Sequence, residues 1–276
     1  MEPQSPQLSP TREQKNNYSV PLSIIVAGAL VAGAIFLRSE DSTAVKSAGV
    51  SVRKFTILPV TSADHIIGNP SAPIKIVEYS DTECPFCKRH HEVLHSIIDT
   101  HGKDGSVAWV YRHLPIEQLH AKAFTEAIAT ECAARLGGED AFWKYLDRIY
   151  SITPSNDGLD PNELNIGAVE LGLPLDEFKS CVSEKETEVS VKRDFEDGLQ
   201  ATGGRPGTPF NVIEVSRAIS EKTKKKITAD MVKIFQEKYN SALDESVMYF
   251  SSDGKYLAFS GALPQEMIEL MINNLK

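Results

Sequence analysis

Cys84-Pro85-Phe86-Cys87 places two cysteines three positions apart, a spacing that serves either a redox pair or half of a zinc site. A structural zinc site needs four ligands, usually a second close pair of cysteines or two well-spaced histidines. The other two cysteines here, Cys132 and Cys181, stand 49 residues apart. The pattern therefore points to thiol-disulfide chemistry, with no metal and no cofactor. In that chemistry one sulfur attacks as a thiolate, and its neighbour resolves the mixed disulfide that forms.

The flanking residues supply what such a pair needs. Residues 74–79 are short, β-branched and almost continuously apolar, as a central strand of a parallel sheet should be. After Cys87, Leu94, Ile97 and Ile98 recur at helical spacing, which puts Cys84 at the start of a helix and Pro85 near its first position, where a missing N–H does no harm. A thiolate there faces the positive end of the helix dipole and unpaired N–H groups, which lower a cysteine pKa from about 8.5 into a range of roughly 3.5 to 7.5. Cys84 is thus expected to be the exposed, attacking sulfur and Cys87, one turn further on, the shielded one. Glu78 offers a carboxylate just before the turn, either as acceptor of the Cys87 proton or as a solvated acid near a strand edge. Lys88, Arg89, His90 and His91 make the first turns basic, which favours a thiolate if their side chains reach it. Residues 106–113 read as a second strand, so strand, helix and strand form a right-handed βαβ unit.

His91-Glu92-Val93-Leu94-His95 matches the H-E-x-x-H of zinc peptidases letter for letter. Two histidines at i and i+4 share a helical face, but a zinc peptidase also needs a third protein ligand in a fixed context. This pair begins four residues after Cys87, with Leu94 and Ile98 claiming the buried stripe. The expectation is a solvated or partly packed helix face.

In Val77-Glu78-Tyr79-Ser80-Asp81, Cys84-Pro85-Phe86-Cys87 and Gly207-Thr208-Pro209-Phe210 the chain resembles the DsbA-like branch of the thioredoxin superfamily, with a weaker likeness from about residue 62 to 276. The resemblance implies an α/β thioredoxin fold with a helical subdomain inserted between the two halves of the sheet, at about 116–202. It also implies a cis proline at Pro209 beside the disulfide. Thr208 would pair its backbone with substrate, and Pro85 and Phe86 would line the same groove. The dipeptide between the cysteines is Pro-Phe, where strongly oxidising members have Pro-His. Without an imidazolium beside Cys84 a milder oxidant is expected.

The insert reads as five helices. The first runs through Ala121, Phe124, Ala127, Ile128, Cys132 and Leu136 and closes at Gly137-Gly138; the second carries Phe142, Tyr145, Leu146 and Ile149. Pro161 and Pro174 open the next two, and Val189, Val191, Phe195 and Leu199 mark the fifth. Cys132 and Cys181 fall on different helices. They are either two buried thiols or, as an oxidising compartment favours, a structural bridge. Beyond the insert, residues 210–215 read as a strand, 248–250 and 256–259 as a hairpin, and Pro264 as the start of a closing helix. Residues 216–244, with Lys224-Lys225-Lys226 and a helix from about 229 to 241, read as a solvated excursion or a contact for a partner or headgroup.

A net charge of −9 over 276 residues argues against nucleic acid, which requires clustered Lys and Arg. Residues 1–17 are polar and aperiodic and are expected to be disordered. Val20 to Leu37 carries no charge, and its 18 residues reach ~27 Å as a helix, close to the ~30 Å of a bilayer core. A single transmembrane helix over 18–38 is expected, followed by a linker over 39–61 and a possible edge strand at 55–60. A cleaved signal peptide is the alternative. The redox motif places the large domain of residues 62–276 outside the cytoplasm, at the cell membrane.

The expected function is exchange of a Cys84–Cys87 disulfide with cysteines of exported proteins, most simply as an oxidant served by a second redox partner. An isomerase or reductase of the same fold, and a non-catalytic module that holds extended peptides beside Pro209, remain open.

Overall fold

The β-branched runs of the C-terminal part pair into one seven-stranded sheet, described here with the rest of residues 49–276 in a computed structural model. The strands are β1 (Val52–Arg53), β2 (His65–Gly68), β3 (Ile74–Ser80), β4 (Val107–His113), β5 (Phe210–Val215), β6 (Met248–Ser251) and β7 (Tyr256–Ser260). Their spatial order is β1-β6-β7-β5-β3-β4-β2. β3 lies inside the sheet, parallel to β4 and antiparallel to the central β5, with Glu78 opposite Tyr111 on one side and Asn211 on the other. Helix α1 (Pro85–His101) connects β3 to β4, completing the βαβ unit.

The expected disordered tail at 1–17, the anchor at 18–38 and the linker as far as residue 48 lie outside the described residues. Among the described residues no helix is long and apolar enough to cross a membrane. The rest of the expected linker departs from the reading: β1 pairs in parallel with β6. Residues 55–60 form no strand, although Ile57 is buried; the second edge of the sheet is made instead by His65–Gly68 against β4.

Between β4 and β5 the chain is helical: α2 (Ala123–Ile152), α3 (Asn162–Glu170), α4 (Leu175–Val182) and α5 (Glu188–Ala201). The two helices expected on either side of Gly137-Gly138 are present, run together as α2 but separated by a kink at Gly138, whose φ of 76° and ψ of −171° are non-helical and suit only a residue without Cβ. Pro161 and Pro174 stand just before α3 and α4, where proline ends the preceding coil without sacrificing a helical hydrogen bond. These helices bury a core of their own, including Ala129, Ala133, Tyr145, Phe178 and Val191, and within it Cys132 and Cys181 are joined by a disulfide.

The excursion at 216–244 is solvated over most of its length but buries one face of a helix. Helix α6 (Glu221–Tyr239) begins eight residues earlier than expected, because Ser220 caps it by accepting from the Thr223 N–H at 3.1 Å. Ile227 and Met231 are fully buried against the sheet core, and the lysine run lies inside the helix, where Lys224 pairs with Glu221 and Lys226 with Asp230. The closing helix α7 (Gln265–Leu275) buries Met267, Ile268, Met271 and Ile272 on the same layer.

Candidate active site

The carboxyl end of β3 delivers the chain into a buried turn, Asp81-Thr82-Glu83, and then into α1. Cys84 is the N-cap of α1 with extended backbone (φ −78°, ψ 121°), and Pro85 follows in the first turn. The turn is fastened to the helical insert on several sides. Thr82 Oγ1 donates to Glu126 at 2.6 Å, the Glu83 carboxylate accepts from the N–H groups of Gly158 and Leu159 at 3.1 Å each, and Asp81 accepts from Ile116 N–H at 2.8 Å. Burial pushes the Glu126 carboxyl up to about 8, against the Thr82 hydrogen bond and with the neighbouring Glu83 acting in the same upward direction. It therefore carries a proton at neutral pH.

Thr208-Pro209 is a cis peptide, and its loop lies against the cysteines, with the Cys84 thiol 3.5 Å from the Thr208 carbonyl to which it donates. This contact changes one expectation. Cys84 is not broadly exposed: only 4% of its surface is accessible, against 0% for Cys87, because the cis-proline loop covers it. The exposed member of the motif is Phe86, at 53%, with the Arg89 guanidinium over its ring. Beside Thr208 and Pro209 a groove of about 440 Å³ is lined further by Arg205, Tyr249 and Ser260.

The two sulfurs, present as free thiols, differ strongly. The Cys84 thiol is pulled down to about 6, first by the hydrogen bond from Cys87 and then, against the cost of burial, by the Thr208 side chain and the backbone N–H groups of Cys87 and Phe86. Cys87 is pushed well above the ordinary range, first by burial and then by the Cys84 thiolate and the Glu78 charge. The expected basic first turns do not contribute as foreseen. His90 is fully buried, bonded to Asn211 at 2.9 Å and lowered by burial to about 4, so it is neutral; burial lowers His91 too. Lys88 points to the carbonyl of Thr153 at 2.7 Å. The Cys84 thiolate is stabilised by the helix start and by its partner thiol.

Glu78 lies wholly inside the protein and is not a solvated strand-edge acid. Its oxygens accept from Ser80 Oγ at 2.7 Å and Trp109 Nε1 at 3.0 Å, yet burial outweighs both bonds and raises the carboxyl to about 7. Ser80 Oγ is also 2.9 Å from the Tyr150 hydroxyl, which is 3.2 Å from that of Tyr111. An ionised Glu78 can only accept, so Ser80 gives it its single proton and Tyr150 must donate to Ser80. A Ser80 hydrogen bond acts on Cys87 in the lowering direction, and the Ser80 proton is free for it only when Glu78 is protonated and donates in its turn. Ser80, Trp109 and Tyr150 were not singled out in the sequence as site residues. Ser80 could have been suspected from its place two residues beyond Glu78 on the same strand face. Tyr150 comes from the insert and gives no local signal.

Residues 60–230 match the family model described as thioredoxin. The chain belongs to the thioredoxin family. Its fold is DsbA-like: DsbA2 of Pseudomonas aeruginosa aligns with a TM-score of 0.54 at 24% identity, covering 79% of this chain and 97% of that one. α-DsbA1 of Wolbachia pipientis gives 0.56 at 18%, covering 79% and 93%. Oxidised BdbD of Bacillus subtilis gives 0.51 at 18%, covering 66% and 97%. Among curated proteins, the chain is similar to Na(+)/H(+) antiporter NhaA 1 of Mycolicibacterium gilvum, 32% identical over 168 residues, which is 56% of this chain and 26% of that protein. The NhaA 3 antiporter of Salinispora tropica is 30% identical over 166 residues, 56% of this chain and 24% of that protein. The chain thus spans about a quarter of the length of these relatives.

Proposed function

We propose that this thioredoxin-family chain is a protein thiol-disulfide oxidoreductase that passes a Cys84–Cys87 disulfide to cysteines of exported proteins. The observation that carries the reading is the asymmetry of the pair: a Cys84 thiol at about 6 beside a Cys87 thiol held far above it. A client thiolate attacks Cys84 Sγ, the Cys84–Cys87 bond breaks, and Cys87 leaves as a thiolate that takes a proton from Glu78 through Ser80. The client's second thiolate then attacks its own sulfur in the mixed disulfide, and Cys84 departs. Two electrons pass from the client to the cysteine pair. A low pKa makes Cys84 the better leaving group, which favours oxidation of the client. When a redox partner reoxidises the pair, Cys87 must lose its proton, and Glu78, at about 7, is poised to accept it.

The Thr208-Pro209 loop and the groove beside it support a role in holding an extended client segment. The Cys132–Cys181 bridge fits an oxidising compartment and hence a domain outside the cytoplasm, tethered through Val20–Leu37.

Trapping tests the reading. Cys87→Ala is expected to accumulate mixed disulfides with clients through Cys84, and Cys84→Ala to trap none. If Cys87→Ala yields no adduct and the purified protein neither oxidises, reduces nor shuffles a model substrate, the redox reading fails and a peptide-binding module replaces it. Protease added to spheroplasts tests the topology: a large domain that stays protected while a known external protein is cut would overturn the external placement.

A further inference from the structure

The H-E-x-x-H letters of α1 have a counterpart that the sequence does not reveal. His91 and His95, one turn apart, turn their Nε2 atoms to within 3.2 Å of each other, and both meet one oxygen of Asp147, a residue 52 positions beyond His95 on α2. Asp147 Oδ1 lies 2.7 Å from His91 Nε2 and 2.9 Å from His95 Nε2. Two imidazoles and a carboxylate thus converge on one point, the only such three-ligand group among the described residues. Packing fixes the rings: His95 stands edge-on to Trp109, their centroids 5.1 Å apart, and His91 packs against both Trp109 and Tyr150. The point opens into a hollow of about 290 Å³ lined by Lys88, Glu92, Tyr150 and Ser151.

We propose that His91, His95 and Asp147 form a binding site for a divalent transition ion of the zinc class, which would clamp the redox helix to the helical insert. Ligands at about 2.0–2.1 Å around a tetrahedral ion stand roughly 3.3 Å from one another, so the three atoms need to part by only a few tenths of an ångström. Asp147 and His95 are each partly exposed and free to make that adjustment. The donor set selects Zn²⁺, Co²⁺ or Ni²⁺ over Ca²⁺ and Mg²⁺, which require more oxygen ligands than one carboxylate supplies. The arrangement is not that of a zinc peptidase: the third ligand comes from another element, across the boundary between sheet and insert. His91 Nδ1 is buried without a partner, whereas strong sites hand that N–H to an acceptor. Affinity is therefore expected to be roughly 10–100-fold weaker than at a site with a complete outer shell.

The test uses the purified full chain with Cys84 and Cys87 both replaced by Ser, so that thiols cannot bind the ion and the outcome is independent of the redox reading. Titration with Zn²⁺ by calorimetry should show one ion per chain and a rise in melting temperature. Co²⁺ should give visible d–d bands of low-symmetry nitrogen and oxygen ligation. His95→Ala and Asp147→Asn, both at partly exposed positions, should each weaken binding at least tenfold and abolish the thermal shift while leaving the metal-free melting temperature close to that of the parent. No binding at millimolar Zn²⁺, or binding that survives both substitutions, would overturn the site.

Discussion

Replacing Cys87 by Ala removes the thiol whose hydrogen bond is the largest cause of the low Cys84 pKa. At about 6, Cys84 is ~90% thiolate at pH 7, whereas a thiol at its ordinary 9.0 would be ~1% ionised. That ~90-fold gain in thiolate is partly cancelled, because nucleophilicity falls with pKa at a Brønsted slope of about 0.4–0.5, a loss of roughly 16–30-fold over three units. The net advantage in attack is therefore only about 3–6-fold. The larger effect is on the equilibrium: stabilising the dithiol form at pH 7 is worth at most about 1.4 kcal/mol, or ~30 mV towards a more oxidising pair. An S–H group is a weak donor, so its loss should raise Cys84 by about one unit and cut the thiolate at pH 7 to roughly half. The assay is the thiolate absorbance of the reduced protein near 240 nm, titrated from pH 4 to 9, alongside iodoacetamide rates. A wild-type midpoint above 8, or a midpoint that Cys87→Ala leaves in place, would refute the idea that the partner thiol governs Cys84.

Four further outcomes follow from the same structure. Resolution of a Cys84-linked mixed disulfide by Cys87 should quicken as pH rises through about 7, where Glu78 ionises, and Glu78→Gln should flatten that profile and slow the step roughly 10²-fold in stopped-flow measurements. Because burial raises Glu78 from 4.5 to about 7, the wild type should lose up to ~3 kcal/mol of stability relative to Glu78→Gln as pH climbs across that window, visible in urea melts at pH 4.5 and 8. Arg112 pairs in the interior with Asp64 at 2.8 Å and Asp197 at 2.6 Å, so Arg112→Met strands two carboxylates and should cost about 3–5 kcal/mol in chemical denaturation. Opening the Cys132–Cys181 bridge by a double Ala substitution should cost about 4 kcal/mol by the chain-entropy model and leave the Cys84 midpoint unchanged.

The local chemistry was legible in the sequence because it depends on residues close together in the chain. An apolar run ending in a turn, a proline at a helix start and two cysteines one turn apart dictate a strand, a helix and an N-terminal thiol, whatever surrounds them. Proline and glycine likewise marked the ends and the bend of the insert helices, since both act through their own backbone. Tertiary structure decided everything that depends on burial or on distant partners. Glu78 gains its raised pKa only because β3 is covered on both faces, and its hydrogen-bond chain runs through Ser80 to Tyr150, 70 residues beyond Ser80. His90 and His91 look cationic in the sequence, but burial lowers both and leaves His90 neutral; Cys84 looks exposed, but the Thr208-Pro209 loop folds over it from 124 residues away. Asp147 meets the two helix histidines for the same reason: periodicity shows which residues share a face of one helix, and only packing shows what a second helix brings against that face.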